Sequence, residues 1–289
     1  MRIWWQSSSP IHRLHEYRNA LSAHLDAVRR PETSIHISGV DEGSMDLHYN
    51  AVVAMNSFGP GGVLDKILQA AGQGYDAVAI GCFLDPAMQE AREIVPIPVF
   101  GMGETCMLMA CMFGQRFSGV AFHAKQAQFY DRKAFEYGLA ARHIPFGNLG
   151  IDFNEVQDGF ARPQEMTAAF AREVRRLASQ GAEVVLAACA TVNAIIHREK
   201  MREIDGVLIL DSNAMLLKIT ESMVDLASAI GLGASRRLLY RQPERTALAE
   251  WMRIYGMHAG QSQTDVARNP MTTLAAGSAS VRASAATPR

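Results

Sequence analysis

The chain has 289 residues, 48% apolar and 20% charged, which is ordinary for a soluble globular protein long enough to bury a sizeable core. Lys and Arg number 28 against 29 Asp and Glu, for a net charge of −1, so the basic surface that nucleic acid or an anionic membrane requires is missing. Four cysteines are too few for a disulfide scaffold, and no charged-then-apolar leader opens the chain, so a reducing cytoplasm is the expected compartment.

In chain order, residues 2–6 read as a strand, followed by Ser7-Ser8-Ser9-Pro10 and a helix over 11–28. Residues 35–40 form a second strand and 46–54 a helix. The glycine-rich turn 56–62 leads into a helix ending at Gln73. The apolar run 77–81 has strand length. Asp85-Pro86 has the form of an N-cap with proline at the first helical position, starting a helix to about Ile94. Residues 98–101 are a strand and 104–114 a helix. The stretch 97–114 is apolar, but Pro98, Gly101, Gly103 and Glu104 break it, and a membrane span needs about 20 uninterrupted apolar residues.

The pattern then restarts: strand 117–122, helix 125–142, a loop over 145–159, helix 163–180, strand 184–188, helix 192–200, strand 207–210 and helix 213–230. This alternation predicts an α/β fold with mainly parallel sheets flanked by helices. A helix over 243–255, packed on the body through Trp251, and a disordered tail from 260 complete the reading.

An internal repeat organises the order. Gly74-Tyr75-Asp76-Ala77-Val78-Ala79-Ile80-Gly81-Cys82 aligns with Gly181-Ala182-Glu183-Val184-Val185-Leu186-Ala187-Ala188-Cys189. In both, glycine lies eight positions and an acid six positions before the cysteine. The expectation is two pseudo-symmetric halves with the active site in the cleft between them. Residues 1–115 form the first half, completed by 213–240, and 116–212 the second, followed by a C-terminal helix at 241–259 and the tail at 260–289.

Ligands of parallel sheets bind beyond the strands' carboxyl ends, where both Cys82 and Cys189 are predicted, each just before a helix N-terminus that favours thiolate. Facing halves would set the two sulfurs on opposite sides of one cleft. A thiolate on one side can then take a proton from carbon while a thiol on the other returns one to the opposite face. Cys106 and Cys111 read as core. No metal site is expected, because neither CxxC nor HExxH occurs, and no GxGxxG or P-loop supports a nucleotide site.

The segment Asp76 through Pro86, with Ala91-Arg92-Glu93 and Pro98-Val99-Phe100-Gly101-Met102-Gly103-Glu104, resembles the first cysteine block of hydantoin racemases. Gly181 through Ala190 is similar to their second block, and Leu210-Asp211 and Ser235-Arg236-Arg237 to their end. The resemblance covers residues 1–240. It implies the aspartate/glutamate/hydantoin racemase superfamily, two pseudo-symmetric α/β halves, no cofactor, Cys82 and Cys189 as the acid/base pair, and a small substrate with an acidic C–H beside a carbonyl. Backbone N–H groups and small polar side chains hold that carbonyl in the family.

Three positions depart from the family pattern. Gln6-Ser7-Ser8-Ser9 stands where Asn-Pro-Asn-[Thr/Ser] is usual. Ala188-Cys189-Ala190-Thr191 replaces Gly-Cys-Ala-Gly, and Ala121-Phe122-His123 replaces a pair of threonines. By this analogy Gln6, Ser8, Phe83, His123 and Thr191 are the substrate contacts. The alternative for His123 is a ring that caps the next helix. The leading expectation is a racemase or epimerase of a cyclic ureide. A malonate-type decarboxylase, a cis–trans isomerase and a non-catalytic small-molecule binder are the alternatives. Self-association is expected by analogy with related α/β enzymes, with the Trp251 helix as its candidate interface.

Overall fold

The computed structural model describes residues 1–257; the tail expected over 260–289 lies outside them. The first series is β1 (Arg2–Gln6), a 3-10 turn (Ile11–Arg13), α1 (His15–Val28), β2 (Ser34–Ser38), α2 (Asn50–Phe58), α3 (Val63–Gly72), β3 (Ala77–Ile80), α4 (Met88–Ile94), β4 (Val99–Gly101) and α5 (Met102–Phe113). The second is β5 (Phe117–Ala121), α6 (Ala124–Glu136), β6 (Gly147–Asn148), α7 (Phe153–Asp158), α8 (Pro163–Ser179), β7 (Val184–Ala187), α9 (Ala190–Arg198), β8 (Glu203–Ile204), β9 (Val207–Leu210) and α10 (Ser212–Ile230). A last helix, α11 (Arg245–Ile254), follows.

Two sheets result, in the orders β2-β1-β3-β4 and β6-β5-β7-β9-β8, parallel except for the β8–β9 pair. Their central strands read as continuous apolar runs because both faces are covered; every residue of β3 and β7 is buried. The turns entering those strands also correspond. Gly74 and Gly181 both have positive φ, +70° and +95°, which a side chain would strain. The Asp76 carboxylate accepts the Arg2 backbone N–H at 2.6 Å, and Glu183 accepts that of Gln115 at 2.8 Å, so each acid anchors the chain entering its sheet's first strand.

The helices that follow β4 and β9 cross over. α5 packs against β7 and α6 of the second sheet, whereas α10 packs against β3 of the first and against α5. Cys106 of α5 is fully buried, and its Sγ–H donates to the Ser212 carbonyl at the head of α10.

Several expected boundaries move. The helix over 11–28 is interrupted at Leu14 (φ −112°, ψ 64°). The helix placed at 46–54 starts at Asn50, since Ser44 and Asp46 are tied to each other in a turn. α6 ends at Glu136 instead of 142, and the loop over 145–159 contains β6 and α7. α11 does not pack through Trp251, which is 47% exposed; Met252 and Met257 touch the core instead.

α1, α9 and α10 meet at a histidine pair. His24 Nε2 and His197 Nδ1 each lie 2.8 Å from Asp211 Oδ2, with rings stacked at 3.5 Å. The three donors are close enough for a metal, but stacked rings point their lone pairs in parallel, so an ion shared by both would lie well out of both ring planes. Burial and the neighbouring His24 and Arg202 push His197 below the ordinary imidazole value. Burial alone would raise Asp211, but hydrogen bonds and charge from His24 outweigh it and hold the carboxyl low. Both folded-state values are depressed, so both groups stabilise the fold above their unfolded values and lose that contribution on acidification. His197→Asn keeps a donor toward Asp211 and removes the titration. Wild-type Tm is therefore expected to fall relative to the variant's as pH drops from about 7 to 5, around the imidazole range. A Tm difference independent of pH would refute the linkage.

Candidate active site

The segments following β1, β3 and β7 converge on one cavity. Ser8, Cys82, Phe83, Cys189 and Thr191 line it, so five of the seven residues singled out from sequence come together. Among the described residues, those lining the cavity include no Asp, Glu, Lys, Arg or His. The space that water can reach inside is about 30 Å³. A larger open groove of about 350 Å³ lies beyond the turn at Asp85, and neither cysteine lines it.

The two cysteines differ in setting. Cys189 is the N-cap of α9, its backbone extended (φ −158°, ψ 129°). Burial pushes its thiol up, opposed by hydrogen bonds from the amides of Val192 and Thr191 and from the Thr191 hydroxyl. Cys82 does not precede a helix as expected. Its carbonyl accepts the Asp85 amide in a turn, Asp85 and Ala87 both have positive φ, and α4 begins only at Met88. Burial pushes Cys82 up to about 12, against opposing hydrogen bonds from Ser8 and the Leu84 amide. Cys189 therefore has a helix end to hold a negative charge, and Cys82 does not.

Asp85 is not the N-cap of α4 either. Its buried carboxylate reaches across to α5 and accepts the amides of Gly103 and Glu104 at 2.7 and 2.6 Å, together with the Tyr137 hydroxyl at 2.6 Å. One side chain thus caps α5, fixes the turn that carries Cys82, and ties that turn to the end of α6.

Two predicted contacts lie elsewhere. Gln6 is fully buried outside the cavity lining; its Oε1 accepts the Trp4 indole N–H at 2.8 Å and its Nε2 donates to the Ser7 carbonyl. His123 caps α6, its Nδ1 accepting the Lys125 amide at 3.2 Å, and its ring packs on His48 outside the cavity lining. Phe83 is buried edge-on to Tyr130, ring centroids 5.0 Å apart.

Three polar residues absent from the sequence reading line the cavity: Tyr17 of α1, and Gln126 and Tyr130 of α6. Burial pushes both tyrosine hydroxyls well up, and both sulfurs add to that, so the two phenols share the cavity with the pair and feel its charge. Their helices follow β1 and β5, the first strands of the two series. Helix-face spacing marks these tyrosines as core, but no local signal turns core into cavity wall.

Comparison with known proteins gives one family. The model described as Asp/Glu/hydantoin racemase matches residues 17–220. The hydantoin racemase of Pseudomonas sp. (strain NS671) is 27% identical over 185 residues, 64% of this chain and 71% of that protein. Allantoin racemase from Klebsiella pneumoniae superposes with a TM-score of 0.69 at 26% identity, covering 92% of this chain and 98% of that one. Allantoin racemase from Pseudomonas fluorescens gives a TM-score of 0.70 at 21% identity, over 84% and 97%, and speaks for the fold alone.

Proposed function

The chain belongs to the Asp/Glu/hydantoin racemase family and is an isomerase, and from that premise we propose that it racemises a small, neutral cyclic ureide by two-base chemistry between Cys82 and Cys189. The observation that carries the proposal is the pair of cysteines at corresponding strand ends, lining one uncharged cavity. The relatives' names supply the ring, hydantoin or allantoin. The reacting carbon lies between a ring nitrogen and a carbonyl. One thiolate takes its proton, the negative charge passes to the carbonyl oxygen, and the opposite thiol returns a proton to the other face. The two sulfurs carry out both proton transfers.

The polar lining consists of hydroxyls, thiols and one amide, which suits a neutral ring. A buried malonate or maleate dianion would meet no cationic side chain there, and an unpaired buried charge is costly. That weighs against the decarboxylase and cis–trans isomerase alternatives. The free space is smaller than a five-membered ring, so substrate enters only as lining side chains move apart. A reducing compartment fits the reading, since all four cysteines are free thiols. Among the described residues no helix is long and apolar enough to cross a membrane. Self-association belongs to the same proposal, with the exposed Trp251 of α11 on the contact face.

The test uses single enantiomers of 5-substituted hydantoins and of allantoin in deuterated water. Proton NMR follows loss of the C–H signal and polarimetry follows inversion. Exchange accompanied by inversion is expected for at least one of these rings. Folded protein that leaves the whole panel unchanged removes the ureide assignment.

A further inference from the structure

Gln126 occupies the third position of α6, counted from its N-cap His123. A glutamine there ordinarily turns back to cap its own helix. Here the Nδ1 atom of His123 takes the Lys125 amide, and the Gln126 side chain turns inward instead. It is 4% exposed and lines the cavity that holds Cys82 and Cys189. Its Nε2 donates to the Leu47 carbonyl at 3.3 Å, which fixes which end of the amide is which, because the reverse orientation would set two oxygens against each other. That leaves Oε1 buried with no hydrogen-bond partner. A buried amide oxygen accepts and cannot donate, so the group that completes it must bring its own N–H or O–H.

The rest of the polar wall is the complement. With the Ser8 and Thr191 hydroxyls turned to the sulfurs, the two tyrosines carry the hydroxyls able to donate to a carbonyl, whereas Gln126 Oε1 is an acceptor left without a donor. A cyclic ureide offers both, since its carbonyls alternate with N–H groups. A carboxylate placed against Oε1 would be repelled.

We propose that Gln126 selects the substrate by accepting a ring N–H through Oε1, making the preferred substrates ureides with a free N–H and excluding isosteric rings that lack it. The proposal rests on the ureide reading above and specifies which side chain enforces it. Sites built to hydrogen-bond a substrate N–H reject analogues without it far more strongly than apolar pockets reject a missing methylene.

The experiment compares 5-benzylhydantoin with its N1-methyl and N3-methyl derivatives and with 5-benzyloxazolidine-2,4-dione, in which a ring oxygen replaces one N–H without added bulk. Deuterium exchange at the ring C–H gives kcat/KM for the wild type and for Gln126→Met. The wild type is expected to prefer the parent by at least about 100-fold over one of these analogues. In Gln126→Met that ratio is expected to shrink at least about 10-fold, mainly because the parent loses its advantage. An equal loss on parent and analogues, or an unchanged ratio, overturns the proposal. If the variant does not fold, the wild type alone decides: turnover of all three analogues at the parent's rate also overturns it. A wild type inert toward every ureide refutes the proposed function itself, and this inference falls with it. Wild-type turnover with a discrimination insensitive to residue 126 refutes the inference alone.

Discussion

Cys82→Ser and Cys189→Ser are each expected to lower inversion by at least about 10³-fold, within the range general acid–base catalysis supplies. Each should still exchange deuterium into one enantiomer only. The reason is geometric. A lone remaining sulfur can remove a proton from the face it touches and return one to that same face, which exchanges without inverting. The two variants should therefore be selective for opposite enantiomers. Their residual rates should also differ. Cys189, at the head of α9 with two amides and the Thr191 hydroxyl around it, is the better thiolate, while Cys82 is pushed up to about 12. Residual exchange near neutral pH should be faster in Cys82→Ser, which retains Cys189. Burial raises both thiols, so the reactive thiolate is scarce at neutral pH, and wild-type exchange should increase as pH rises from about 7 to 9. Proton NMR on each enantiomer at a series of pD values reads all of this, and inversion at near the wild-type rate by either variant would end the two-base mechanism.

Asp85→Ala is expected to cost about 3–5 kcal/mol of stability, the scale for breaking a buried charged hydrogen-bond network. Three donors lose their acceptor at once: the Gly103 and Glu104 amides at the start of α5 and the Tyr137 hydroxyl. Each unsatisfied buried donor costs about 1–3 kcal/mol. Alanine must also hold a φ of +49° that aspartate tolerates better. The surroundings are shaped to this carboxylate: a Cβ at Gly101 would overlap Asp85 Oδ1, and one at Gly103 would overlap the Phe83 carbonyl oxygen. Asp85→Asn keeps the volume, but its NH2 group must face at least one donor, so an intermediate loss is expected. Urea unfolding measures both variants. A loss below about 1 kcal/mol for Asp85→Ala would show that water replaces the carboxylate freely. Activity should fall along with stability, since the same contacts hold the turn bearing Cys82.

Features with a local cause were legible in the chain. Strand runs such as 77–81 and 184–188 are apolar because both sheet faces are covered, and the glycine–acid–cysteine spacing located both sulfurs. Asp85 and the cavity wall escaped because their partners are remote in sequence. Asp85-Pro86 carries a valid helix-start signal, yet the carboxylate serves a helix 17 residues further on. Gln6 and His123 differ, because neighbours two residues away claim their polar atoms: Trp4 for Gln6, and the Lys125 amide for His123, which is the capping role held as its alternative. Tyr17, Gln126 and Tyr130 became cavity wall only through packing between distant elements. One miss had a readable signal: Asp152 and Glu155 form a capping box, so the Asp-x-x-Glu pattern announced α7 inside a stretch read as loop.

The crossing of α5 and α10 has a consequence for synthesis on the ribosome. About 130 residues separate Ile80, at the end of β3, from Ser212, where the helix covering it begins. At roughly 5–20 residues per second, that places on the order of ten seconds between the emergence of the strand and that of its cover. During this interval the part of β3 and β4 that α10 covers is apolar and bare, a surface that invites chaperones. Release of that surface waits on α10, so the two sheets reach their native state together despite being made in turn.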